Sequence, residues 1–273
     1  MARWGAALVA PALAALLAGC GTFTAGGDAA NSTTGTGAGS VRVAAASDLR
    51  FALDELLEEF AVDHPDIDVE VAYGSSGNFA SQLANGAPFD VFLSADTLYT
   101  GYLEEEGVTL PDSAFEYAVG RLVVWAPTEG NLRIAEDGMA ALTDPGVRKV
   151  AVANPEHAPY GRAAMAALEH AGVLEEVEPK LVYGENIAQT AEFVVSGGAD
   201  AGIIALSLAV APAMEGRGEM YEIPLDTFPR LNQGGVIMER AEDPEAARVL
   251  TGYLTGEEGR DLLERYGFHL PGH

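Results

Sequence analysis

Basic residues are scarce in this chain. Lys and Arg number 15 against 41 Asp and Glu, a net charge of −26 over 273 residues, and only Lys149 and Lys180 are lysines. A nucleic-acid binder needs a basic face to displace counterions from phosphates, so that class is excluded. Docking on anionic lipid through a polybasic patch is excluded on the same ground. Cysteine is scarcer still, with Cys20 alone. One thiol makes no internal disulfide, and no second Cys or His stands near it to form a metal clip. A membrane-spanning run is also missing at the start: the apolar stretch Ala6 to Leu17 is too short. What is plentiful excludes disorder, since 48% of residues are hydrophobic and 8% aromatic. The length suits one large or two modest domains with well-packed cores.

The N-terminus explains the single thiol. Arg3, the apolar run and then Leu17-Ala18-Gly19-Cys20 form an export signal. That ending resembles the lipobox of bacterial lipoproteins, which implies cleavage before Cys20, acylation of Cys20 and an extracytoplasmic protein tethered to the membrane. The expected divisions are a signal over 1–19 and a flexible lipid-anchored linker over 20–40, where Gly, Thr, Ala, Ser and Asn dominate.

From Val41 onward, strand-like and helix-like patterns alternate. Val41 to Ala46 is a short apolar run; Phe51, Leu53, Leu56, Leu57 and Phe60 then fall on one helical face, with Ser47 or Asp48 as the N-cap. Asp68 to Tyr73 and Asp90 to Leu93 read as strands, each feeding a helix. Tyr117 to Ala126 reads as one long apolar strand. Lys149 to Ala153 leads to a helix Arg162 to Ala171, Leu181 to Tyr183 to a helix Ile187 to Val195, and Gly202 to Ala205 to Leu206 to Val210. Gly234 to Met238 is a strand, Pro244 to Leu254 a helix, and Gly259 to Tyr266 a helix closed by Gly267. This is α/β alternation with parallel sheets. Two lobes fit the length: 41–119 plus 226–273, and 120–225, with crossings near Gly120 and Pro224 to Pro229.

Four strand-to-helix junctions carry short polar or glycine-bearing turns: Ser47-Asp48, Ser75-Ser76-Gly77, Ala158-Pro159-Tyr160-Gly161 and Glu185-Asn186-Ile187. In doubly wound sheets ligands gather at such carboxyl ends. Free N–H groups and the helix dipole favour an anion there, and serine hydroxyls add uncharged donors. Any one junction alone reads as a helix cap. Catalysis has a thinner basis: the serine turn lacks the Gly-x-Ser-x-Gly elbow, although His157 is a conceivable base for Ser47 or Ser76. His64, Asp66, Asp68, His269 and His273 show no metal-ligand spacing.

AAASDL (44–49), YGSSGNFASQL (73–83), GAPFDVFLSAD (86–96), NPEHAPYGRAA (154–164) and the closing RYGF (265–268) together resemble the molybdate-binding proteins of bacterial ABC importers. The resemblance spans Val41 to Phe268 in consistent order. It implies the two-lobe type II solute-binding fold, with one tetrahedral oxyanion held between the lobes by neutral donors. Carried over by position, Ser47 and Ser76 give hydroxyl and backbone N–H bonds, while Tyr160 and Ile187 give backbone N–H groups. Some members add a tyrosine hydroxyl where this chain has Ala205, and the hydroxyl of Tyr160 is a candidate replacement. A carboxylate touching a dianion would repel it, so Asp48 is expected to point away and cap its helix, with only its N–H near the ligand.

The resemblance further implies capture of molybdate, with tungstate, and delivery to ABC permease and ATPase subunits by a monomer. It implies no enzyme activity, no cofactor and no metal site beyond the oxyanion. Bulk charge agrees with local binding: at −26 the far field opposes an anion, though salt screens it beyond about 10 Å. Affinity must then come from desolvated N–H and O–H donors. Two alternatives stay open: the same clamp holding sulfate or another oxyanion, and a secreted serine hydrolase. An anion that keeps a proton would want an acceptor, and Asp48 is the one residue that could supply it.

Overall fold

A computed structural model describes residues 39–130 and 132–272. The export signal, most of the linker and Cys20 lie outside the described residues. The first lobe opens with β1 (Gly39–Ala46), a 3-10 turn at Ser47–Leu49, α1 (Arg50–Asp63), β2 (Ile67–Gly74), α2 (Ser76–Ala84), β3 (Val91–Ser94), α3 (Thr97–Glu105) and β4 (Phe115–Gly120). The second lobe holds β5 (Leu122–Pro127), α4 (Ile134–Asp137), β6 (Val150–Ala153), α5 (Pro159–His170), α6 (Leu174–Val177), β7 (Leu181–Gly184), α7 (Ile187–Val195), β8 (Ala201–Ala205), α8 (Leu206–Ala209) and β9 (Gly218–Glu222). The chain then returns to the first lobe as β10 (Leu231–Ile237), α9 (Pro244–Thr255) and α10 (Glu257–Arg265).

The two sheets have the same plan. Their strand orders are β2-β1-β3-β10-β4 and β7-β6-β8-β5-β9. The first three strands of each are parallel, and the fourth, β10 or β5, runs antiparallel to both neighbours. That fourth strand is the one delivered from the other lobe, so each crossing ends inside the sheet it joins. Period-two alternation sorts the side chains. Val41, Val43, Ala45, Val91 and Leu93 pack on α1, α9 and α10, whereas Ala44, Phe92 and Val236 pack on α2 and α3.

Two sequence expectations need correction. Tyr117 to Ala126 is not one strand: it divides at Gly120–Leu122 into β4 of one sheet and β5 of the other. The break falls at Arg121, the one charge in that apolar run, which pairs with Glu222. The N-cap reading also fails. Neither Ser47 nor Asp48 caps α1: the caps of the 3-10 turn and of α1 are Ala46 and Leu49, and no side chain bonds to either start. The tight turn displaces the helix start past Asp48, whose carboxylate is turned inward instead. Elsewhere Asp96 and Asn186 cap α3 and α7 through bonds to Leu98 and Gln189. Gly267, at φ 78°, closes α10.

Phe92 is fully buried at the centre of the first sheet. Phe92→Ala should therefore cost about 3–5 kcal/mol in urea denaturation. A loss below about 1 kcal/mol would mean that this face is not tightly packed.

Candidate functional site

The carboxyl ends of β1, β2, β6 and β7 meet where the lobes face each other. Their turns enclose one cavity, lined by Ser47, Asp48, Ser75, Ser76, Ala95, Ala158, Tyr160 and Ile187, with Ala46, Gly74 and Pro159 completing the wall. All five residues singled out on the folded part, Ser47, Asp48, Ser76, Tyr160 and Ile187, are thus brought together, from positions up to 140 residues apart. The cavity is small. No lysine or arginine lines it.

Its donors are backbone groups. The first N–H groups of a helix have no intrahelical acceptor, and Ser76, Tyr160 and Ile187 stand in the first turns of α2, α5 and α7. Among the described residues no turn or cap bond uses the N–H of Ser47, Ser76, Tyr160 or Ile187. Three helix dipoles add positive potential at the same place. The hydroxyls differ. Ser76 Oγ accepts the Ala95 N–H (3.0 Å), which leaves its own proton available. Ser47 Oγ accepts the Ala188 N–H (3.2 Å) and donates to Asn186 Oδ1 (3.1 Å). A hydroxyl has one proton, so while that bond stands Ser47 offers the cavity only its N–H.

Asp48 behaves otherwise than expected. It is 1% exposed, and its Oδ2 accepts from the Tyr160 hydroxyl (2.9 Å) and from Gln233 Nε2 (2.6 Å). The hydroxyl of Tyr160 is therefore turned to Asp48, and its backbone N–H is the donor left for a ligand. Burial pushes the Asp48 carboxyl up to about 6, against the opposing pull of the bonds from Gln233 and Tyr160. Gln233 was not anticipated. It sits fully buried in β10 beside a second amide, Asn232, and its partners are remote in the chain, so nothing local marks it.

Hydrogen bonds across the cleft hold the lobes closed. Arg162 donates to Asp96 and to the Tyr99 hydroxyl, each at 2.8 Å. Asn78 donates to Glu185 (2.6 Å), Gly77 N–H to the His157 carbonyl (2.9 Å), and Ser207 Oγ to the Asp48 carbonyl (2.8 Å). A Cβ at Gly77 would stand 2.6 Å from that His157 oxygen, so only glycine allows the approach. His157 does not meet Ser47 or Ser76. Its Nδ1 shares a bond with Ser75 Oγ (2.9 Å) and its Nε2 lies 3.8 Å from Glu185, a cross-cleft strap. Among the described residues no three His, Cys, Asp or Glu converge to hold a metal ion.

Two sheets exchanging strands around a small cleft are the architecture of a two-lobed solute-binding protein. The comparisons agree: residues 41–269 match the family of bacterial extracellular solute-binding proteins, and the chain belongs to that family. It is 36% identical to the molybdate-binding protein ModA of Azotobacter vinelandii over 235 residues, 85% of this chain and 91% of that one. It is 38% identical to ModA of Rhodobacter capsulatus over 200 residues, 73% of this chain and 77% of that one. Among solved structures, the periplasmic molybdate-binding protein of Azotobacter vinelandii superimposes with a TM-score of 0.79 at 29% identity, covering 85% of this chain and 99% of that one.

Asp48 gives a pH signature of its own. A carboxyl raised to about 6 in the fold from about 3.9 unfolded binds its proton more tightly when folded. Its contribution is complete below about pH 4 and is lost as pH rises through 6, a change of about 3 kcal/mol at most. Subtracting the stability–pH curve of Asp48→Asn from that of the wild type should show this fall. A difference curve flat between pH 4 and 7 would contradict it.

Proposed function

We propose that this protein captures molybdate, and tungstate with it, outside the cytoplasm and hands it to the permease and ATPase of an ABC importer. The observation that carries this reading is the convergence of unpaired N–H groups from separate helix starts on one small cavity without a cation. A fully ionised tetrahedral oxyanion matches that donor set: it accepts at every oxygen and has no proton to place. The donors contact its oxygens only, so no side chain coordinates the metal atom. The relatives named for molybdate support the same ligand. Ser76, with hydroxyl and N–H, Tyr160 and Ile187, each with N–H, and Ser47, with at least its N–H, are the proposed donors.

Exclusion of water strengthens each bond, because an unpaired donor in a dry cavity has no alternative partner. Molybdate and sulfate share charge and shape, so selection between them rests on cavity size. Loading follows from closure. The lobes are joined at Gly120–Leu122 and at residues 223–230, and opening about these crossings would expose the cavity. An anion that bonds to donors on both lobes binds the closed form better, which is the differential affinity that a population shift requires. The permease would read the closed form. Acylation at Cys20 would keep the carrier at the membrane, and the linker over 20–40 would let it reach its partner.

Calorimetric titration of the purified protein with molybdate, tungstate, sulfate and phosphate tests this. One-to-one binding of the first two, with sulfate at least roughly tenfold weaker, is expected; about 1.4 kcal/mol separates them at that ratio. Ser76→Ala removes a hydrogen bond to a charged group and should weaken binding roughly ten- to hundredfold. Equal or tighter sulfate binding would overturn the ligand, and silence with every oxyanion would overturn the site.

A further inference from the structure

Asp48 is the one acidic residue in the wall of the cavity. It stands there without a cation, next to the place of an expected dianion. Its side-chain donors both fall on one oxygen. Oδ2 accepts from Tyr160 and Gln233, but Asp48 Oδ1 and Gln233 Oε1 are both buried and have no hydrogen-bond partner. Buried acceptors left unpaired in one cluster are uncommon and call for a missing donor. A proton on Asp48 Oδ1 converts one of these bare acceptors to a hydroxyl, and it removes the charge that would repel the ligand.

The cluster is also divided between the lobes. Asp48 and Gln233 belong to the first, Tyr160 to the second, and Gln233 Nε2 lies 3.1 Å from the Tyr160 oxygen. Tyr160 and Gln233 press on Gly120 at the crossing, where a Cβ would collide with both. The cluster is therefore complete only when the cleft is closed. We infer that closure over the anion loads one proton onto the Asp48–Tyr160–Gln233 cluster, so that ligand binding and proton uptake are coupled. The inference rests on the oxyanion reading above.

The balance is simple. The Asp48 carboxylate takes one proton from solvent and becomes a neutral carboxyl; no other bond is made or broken. Oδ2 keeps the two bonds it accepts, and the proton sits on Oδ1. On opening, Tyr160 departs with its lobe, water returns to the carboxyl, and the proton leaves with the anion. The neighbouring charges are engaged elsewhere: Arg121, next to Gly120 at the crossing, has a buried unpaired Nε but pairs with Glu222. Tyr160 of α5 and Tyr117 of β4 face Asp48, and burial holds both hydroxyls far above their ordinary range, hence neutral. Arg162 of α5 is engaged by Asp96. Arg50 of α1 and Glu192 of α7 pair with each other at the surface (3.4 Å), and the remaining acids of α1 are exposed or half-buried. The helix α8 and strand β10 carry no charge.

The test is calorimetric titration of the purified protein with molybdate and tungstate between pH 5 and 8, in paired buffers of different ionisation enthalpy. Both anions are essentially fully ionised over this range. The wild type should take up most of one proton per anion near pH 5, with affinity falling as pH rises toward 6 and the uptake gone by about pH 8. Asp48→Asn should lose both the uptake and the slope. Tight binding by the wild type with no proton uptake would overturn the coupling and leave the oxyanion reading intact, and this holds even if the variant does not fold. Uptake that persists in Asp48→Asn would place the proton elsewhere and overturn the assignment. No binding of either anion at any pH would overturn the functional reading and the coupling together.

Discussion

The proposed site depends on one constraint: backbone N–H groups at helix starts, which have no intrahelical acceptor, face one small cavity. A chain of net charge −26 has no long-range attraction to offer an anion, and the cavity wall contains no lysine or arginine. What remains is short-range: amides at the starts of α2, α5 and α7, the Ser47 N–H, one serine proton, and the dipoles behind them. Such groups are costly to bury unpaired. In the proposed site that cost becomes the source of affinity, because an anion that supplies the missing acceptors relieves it. It also explains why donors rather than charges are used. A lysine would attract any anion, whereas fixed amides reward only one of matching size and geometry.

The fold supplies the precision. Each sheet receives its antiparallel fourth strand from the opposite lobe, so the crossings are anchored in both cores and the lobes meet in a defined register. The closed state is then held by bonds at two depths. Arg162 with Asp96 and Tyr99, Asn78 with Glu185, and His157 with Ser75 lie toward the rim. Asp48, Tyr160 and Gln233 lie buried against the crossing. Exposed ion pairs such as Arg50–Glu192 contribute little by comparison.

The sequence made much of this legible, for physical reasons. Strand-to-helix junctions announce themselves locally, through a polar or glycine-bearing turn after an apolar run, so the four junctions could be grouped from the sequence, while the choice of Ser47, Ser76, Tyr160 and Ile187 within them came from the family resemblance. Asp48 could not be read correctly, because its fate depends on Gln233, 185 positions away, and Tyr160, 112 positions away. Locally an Asp before a helix looks like a cap; only tertiary contact turns it inward. The division of Tyr117 to Ala126 was hidden in a similar way. Both halves have strand composition, and only Gly120-Arg121 marks the point where the chain changes sheets.

The most direct test of the central claim is anomalous diffraction at the molybdenum edge, from crystals of the protein grown with molybdate. The account places one peak in the cavity between the starts of α2, α5 and α7, with oxygens within hydrogen-bond distance of the Ser76, Tyr160 and Ile187 amides. A peak elsewhere, or an occupied cavity whose ligand oxygens avoid those amides, would contradict it.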